Sequence, residues 1–584
     1  MTEKKRKTRP LPFRRKQSRP RAGTMIAYDL ETTNIGAGTP APLYVTAYGL
    51  EGEYRVAGRL RSLDDLLNVL ERDFLTTAAD GWRFVGWNAN NFDVYLVALA
   101  LLKDERYEMR PYMTRSKSLR GMRVKDLTTG CEWEFLDGMA MTGCQMKLEK
   151  FLAVFAPDLP KMTGVIDFEA GEQFDPTNQK HCEYAMRDSV GLWAALHAAQ
   201  EIVKNTFGEV LRPTVGNMGI RIFQSHLPKD VAVQPLSDEV DRIMRDYVMR
   251  GGYCYCARKY NGPIWKYDIN QAYAAAMREA WLPDGYANKV SSYWGRYPGI
   301  YHLTATNPKN KIPFYYTDAD GVRVFGMKEI TDTWLTSIEV DQLREEGWTV
   351  KISEGYLFSG RFKMQDYVDR LEHIRMNADG GPNGAVGTMM KSIGNNSYGK
   401  TVEKLDGVEY VLCNECPEGY LPFHSEEGLD GLPIWTKQNE PAHKDYHKPQ
   451  IGSFITAHVR MKLRRAALLD PDAWLYGDTD CTVFSREPHG LDIHKSRYGA
   501  WKIECEGEEY RIITKKVYAK YDASEKHAKG LNVKKLSADD FEKWSRGIEP
   551  TQKQIHKNNL MKVLGGAEMY IERIRRGTKV SLDN

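Results

Sequence analysis

The sequence predicts a mixed α/β protein built as two large domains, and three observations carry that reading. Apolar runs with β alternation pass repeatedly into runs of helical periodicity. Acidic residues gather at predicted strand ends in two widely separated stretches. A chain of 584 residues also exceeds what one hydrophobic core serves.

Composition narrows the class. Apolar residues make up 42% and the mean hydropathy is −0.54, with no run of about 18 uncharged apolar residues that could span a bilayer. Nine scattered cysteines without a secretory leader point to a reducing cytoplasm and to thiols that are free or metal-bound. Residues 1–24 hold ten Lys or Arg against Glu3 alone, so the net charge of +4 leaves −5 for the remainder. Such an arm is expected to be disordered and to favour a polyanion.

The first acidic stretch begins at Met25–Thr33, a short strand whose alternation turns Asp29 and Glu31 to one side. Trp82–Trp87 reads as a second strand, and Asp93 opens the apolar helical run that follows Asn88-Ala-Asn-Asn-Phe92. From His181 to Val203 the periodicity is helical, which sets Tyr184 and Asp188 one turn apart on one face. Each fragment alone is commonplace: an Asp-x-Glu strand is more often a solvated edge. In this order, four carboxylates (Asp29, Glu31, Asp93, Asp188) suit two hard divalent cations that activate water for phosphodiester hydrolysis. The donor type implies Mg²⁺ or Mn²⁺, and Tyr184 suits holding the water.

In the second stretch, Ile264–Tyr273 passes from a strand into an alanine-rich helix, with Asp268 at the strand end and Tyr273 in the first helical turn. Ala473–Phe484 reads as two strands around a turn that exposes Asp478 and Asp480. Between them, Lys391, Asn395 and Tyr398 share one helical face. Attack of a 3′ oxygen on an α-phosphate needs two carboxylate-held metals and a cation for the departing pyrophosphate. Asp268 and Asp480 fit the first requirement, Asp478 fits it more weakly, and Lys391 fits the second. A Tyr-Gly-Asp-Thr turn or a helical lysine is ordinary by itself; the conjunction is specific.

Together these motifs resemble the three exonuclease and three polymerase motifs of family B DNA polymerases. The resemblance implies an RNase H-like exonuclease domain over 25–205, then a right-hand polymerase domain over 206–584. The latter would comprise a palm (206–300 and 451–522), fingers (359–401) and a thumb (523–584). It implies metal ligation by Asp268, Ile269, Asp478 and Asp480, with two Mg²⁺ or Mn²⁺ per site. Nucleotide contacts would come from Ile269, Tyr273, Arg375, Lys391, Asn395 and Tyr398, the two tyrosines stacking beneath the incoming sugar. Primer-template contacts would come from Arg250, Gly251, Gly252, Lys516 and Tyr518. Met249 stands where the family's link has a tyrosine, with Tyr247 the nearest substitute. Lys161 is the candidate for a lysine that protein-primed members carry before the third exonuclease motif.

Two additional segments, 301–358 and 402–450, sit where protein-primed polymerases of linear-genome bacteriophages and related elements carry their terminal-protein regions. The expectation is therefore a monomeric, processive, strand-displacing DNA polymerase using dNTPs, primer-template DNA and a terminal protein. A nucleic-acid-primed family B enzyme and a non-enzymatic replication scaffold stay open, although intact carboxylates disfavour the scaffold; Tyr273 disfavours RNA synthesis. Cys413, Cys416, His443 and His447 have the pair spacings of a zinc site, but the 26 residues between the pairs exceed the usual dozen or so.

Overall fold

The computed structural model describes residues 23–34, 36–167, 170–404, 407–423, 433–438 and 444–579. The basic arm, up to residue 22, and His443 lie outside them.

The N-terminal domain is organised by the strand Met25–Thr32, which pairs antiparallel with Pro42–Gly49 and parallel with Arg83–Gly86. Ile26, Tyr28 and Leu30 are buried on one side of it, so period 2 turns Asp29 and Glu31 to the other. Two helices position the remaining acidic groups. Asp93–Leu101 begins at Asp93, and the long helix Gln179–Phe207 packs along the first two strands. Asn178 caps the long helix, and it ends where Gly208 turns left-handed at φ 66°, two residues beyond the expected boundary at 205.

The same sheet continues into a distant part of the sequence. Val408–Leu412 joins its far edge through the pair Leu412↔Met109, and Ile434–Gln438 follows as the next strand. The second additional segment is thus fastened to the N-terminal domain by main-chain pairing.

A seven-stranded antiparallel sheet forms the centre of the molecule. Its core strand, Tyr260–Ile269, lies between Cys481–Phe484 and Trp501–Thr514. The helices Ala272–Glu279 and Pro449–Leu469 pack together and contribute their apolar faces to the main core. Two further helices, Gln365–Asn377 and Ala385–Gly399, pack on one another above it. Gly394 permits a close approach, since a Cβ there would stand 3.3 Å from Leu371 and 3.7 Å from Ala274.

The first additional segment contributes to a four-stranded sheet and the helix Ser337–Glu345, closed by a capping box between Thr336 and Glu339. Glu339 also forms a fully buried triad with Arg250 (2.6 Å) and Arg460 (2.8 Å). This fastens the segment to the helix that precedes Asp478. At the C-terminal end, the helix Ala538–Ser545 leads into a ribbon of Thr551–Lys557 and Tyr570–Arg576. The turn of that ribbon carries Leu560–Leu564, whose buried side chains complete the N-terminal domain's core.

Candidate active sites

In the N-terminal site, Asp29, Glu31, Asp93 and Asp188 converge from a strand and two helices. The Leu30 amide donates to Asp93 Oδ1 at 3.2 Å, which ties the first motif to the second. Burial raises the Asp29 carboxyl well above its ordinary range, and Asp188 raises it further. Glu31 rises for the same reason, with Asp29 and Asp188 adding to it. Asp93 and Asp188 are also raised, chiefly by burial. Lys161 is brought from a loop into an ion pair with Asp188, and its ammonium lies 4.7 Å from the Tyr184 ring centroid.

One residue here escaped the sequence reading. Asp137, at the end of its own strand, accepts from the Asn88 and Asn90 amides at 3.1 Å each and from Met139 at 2.8 Å. It therefore fixes the turn that delivers Asp93. The signal was a lone Asp-Gly after an alternating strand, which has no distinguishing spacing.

In the central site, Asp268 stands opposite Cys481 on neighbouring strands, and the Ile269 amide donates to the Asp480 carbonyl at 2.8 Å. The tight turn between the two short strands places Thr479 at φ 62°, with its amide donating to the Tyr253 carbonyl at 2.6 Å. Burial, then Asp480 and Glu504, push Asp268 up to about 7. Asp480 is raised by burial and by Asp478. A cavity of about 460 Å³ opens over Asp268, Asp478 and Asp480 and is also lined by Glu504, Lys516 and Tyr518. Glu504 is a second residue the sequence did not single out.

Across this cleft, the Tyr273 and Tyr398 rings stack at 4.8 Å and 24°. Lys391 is exposed on the same helix as Tyr398, and the Asn395 Oδ1 atom is buried without a hydrogen-bond partner. Lys516 donates to Asp478 at 2.7 Å, and Tyr518 lies 5.5 Å from the Lys266 ammonium. Gly251 is exposed, whereas Gly252 packs against Thr479.

The geometry corrects two expected contacts. Arg250 is 1% exposed and spends its guanidinium on Glu339, so its side chain does not face nucleic acid. Arg375 is 8% exposed, donates to the Pro382 carbonyl at 3.1 Å and lies 5.8 Å from the Tyr498 ring. It packs the base of its helix rather than offering a cation. Tyr247 turns its hydroxyl to the Ala319 carbonyl at 3.4 Å. Of the expected zinc set, Cys413 is buried and Cys416 exposed, both donating to main-chain carbonyls, while His447 is buried.

Both acidic clusters offer hard oxygen donors whose mutual repulsion and burial are only partly offset by Lys161 and Lys516, which is the chemistry a divalent cation satisfies. Among the described residues, no group of three or more His, Cys, Asp or Glu side chains is placed closely enough to hold a metal ion.

Residues 161–425 match the family described as DNA polymerase type B, organellar and viral. Probable DNA polymerases of Ascobolus immersus and Neurospora intermedia are 24% and 22% identical over 60% and 58% of this chain. The DNA-directed DNA polymerase of Enterobacteria phage PRD1 is 24% identical over 61% of it. The chain spans 30%, 37% and 63% of those three relatives' lengths. The phi29 DNA polymerase in complex with primer-template DNA and incoming nucleotides has the same fold, at a TM-score of 0.72 and 16% identity over 96% of this chain and 100% of that one. A second crystal form of phi29 DNA polymerase gives a TM-score of 0.70 at 15% identity.

The fold is that of phi29 DNA polymerase, and it carries two separate carboxylate clusters, one in the N-terminal domain and one on the central sheet. Over residues 161–425 the chain is similar to the family B DNA polymerases of the organellar and viral group.

Proposed function

We propose that this protein copies DNA from dNTPs on a primer-template and removes misincorporated 3′ ends with its N-terminal site. The observation that carries the reading is the pairing of Asp268 with the Asp480 turn on adjacent strands, beneath the stacked Tyr273 and Tyr398. Asp268 and Asp480, with the Ile269 main chain, would hold the metals, and Asp478 would act beside them. Bound Mg²⁺ would supply charge for the α-phosphate and the leaving pyrophosphate. The chain itself orients the sugar with the tyrosine pair and meets the triphosphate with Lys391. In the N-terminal site, Tyr184 and Lys161 flank Asp188, where they can orient a water and compensate its charge.

Protein priming, processivity and strand displacement, in a host cytoplasm, form the finer part of this reading. They are supported by the two additional segments, one fastened to the N-terminal sheet and the other to the Arg250–Glu339–Arg460 triad. Among the described residues, no helix is long and apolar enough to cross a membrane. Incubation with labelled dATP, Mg²⁺ and a candidate terminal protein tests priming through a protein-linked nucleotide, and extension of a primed template tests synthesis. Extension without any protein-linked product in the presence of the genome's own terminal protein would leave a nucleic-acid-primed enzyme.

A further inference from the structure

The C-terminal ribbon brings Lys557 to the turn that leads into the exonuclease-type site. The Lys557 ammonium lies 4.6 Å from the Tyr95 ring and donates to Asn91 Oδ1 at 2.9 Å and to the Asn91 carbonyl at 3.3 Å. Asn91 Nδ2 in turn donates to Asn88 Oδ1 at 2.6 Å. Asn88 and Asn91 are both exposed in the turn leading to Asp93. The ribbon is held there firmly, because Leu560, Met561, Val563 and Leu564 are buried in the N-terminal core and Tyr570 bridges Gly38.

A carboxamide has a donor end and an acceptor end, and a lysine ammonium has donors only; burial lowers Lys557 to about 8, so the ammonium form prevails at neutral pH. The atom of Asn91 that meets Lys557 must therefore be the oxygen, which leaves its NH₂ for Asn88. The atom of Asn88 that meets this NH₂ must again be the oxygen, which leaves the Asn88 NH₂ facing outward. We infer that Lys557 is a positioning residue for the exonuclease-type site: through Asn91 it fixes the polarity of the Asn88 amide, so that two N–H donors face the acceptor-rich single strand being degraded. The inference rests on the exonuclease reading above. It gives the C-terminal segment a part in strand degradation, 466 residues away in sequence.

The test separates polarity from simple adhesion. Asn91→Asp keeps, and by charge strengthens, the contact with Lys557, but its carboxylate can only accept from Asn88. Asn88 must then reverse and present oxygen outward. The KM for a 3′-labelled single-stranded oligonucleotide should rise about fivefold to tenfold, the effect of exchanging a donor for an acceptor at one contact, with kcat changed less than about twofold. Thermal stability should not fall. Lys557→Met should raise KM in the same way and Lys557→Arg should restore it, while primer extension by all three stays at the wild-type rate. An unchanged KM in Asn91→Asp, or a KM that follows thermal stability across the variants, overturns the relay. A wild-type protein that degrades no strand instead overturns the exonuclease reading, and the relay with it.

Discussion

Gly252 lies so close to Thr479 that a Cβ on it would stand 2.7 Å from the threonine Oγ1 and 3.0 Å from its Cγ2. Thr479 is the left-handed residue between Asp478 and Asp480, so the linker after Arg250 forms one wall of the turn that carries the proposed metal ligands. Overpacking of this kind costs roughly 1–3 kcal/mol. Gly252→Ala should therefore slow single-nucleotide incorporation roughly tenfold to a hundredfold if the strain is relieved by moving the turn. Exonuclease activity should be unaffected, and quench-flow incorporation alongside single-strand degradation measures both.

Glu339 is held by Arg250 and Arg460 with no exposure to water. Burial alone would raise its carboxyl, but the two guanidiniums hold it down at about 2. Because the folded value lies below the unfolded one, the triad's contribution is complete above about pH 4.5 and is lost as pH falls toward 2. Glu339→Gln leaves two buried cations without their anion, which should cost roughly 3–5 kcal/mol. Urea unfolding at pH 7 and pH 4 checks this, with the difference between variant and wild type shrinking at the lower pH.

The second additional segment pairs with the N-terminal sheet, so removing it should open the molecule without touching the carboxylates. Replacing residues 405–446 with a short Gly-Ser linker should leave one-nucleotide incorporation nearly intact. We propose that this segment encloses the product duplex; products made in the presence of a DNA trap should then shorten, and synthesis through a downstream duplex should stop, because enclosure acts on dissociation rather than chemistry. Long strand-displaced products from this variant would assign the segment another purpose.

The legible parts of this protein were the local ones. Asp29 and Glu31 follow from strand alternation, Tyr184 and Asp188 from one helical turn, and Lys391, Asn395 and Tyr398 from a helical face. Relations between distant segments were not written locally. Arg250 and Arg375 carry the same formal charge whether they meet a phosphate or a buried partner, and only packing reveals that both turn inward. Strand Val408–Leu412 has no local mark that it pairs with Met109, and Lys161 reaches Asp188 through a loop with no periodicity. Asp137 and Glu504 were missed because a single acidic residue on a strand is usually solvated.

We propose that two carboxylate sites in one chain perform opposed reactions on the same DNA end. Asp480→Ala and Asp29→Ala are to be compared on one labelled primer-template with Mg²⁺, with and without dNTPs. Asp480→Ala should abolish extension and still shorten the primer, whereas Asp29→Ala should extend it and not shorten it. Loss of both activities in either properly folded variant would contradict the assignment of separate sites.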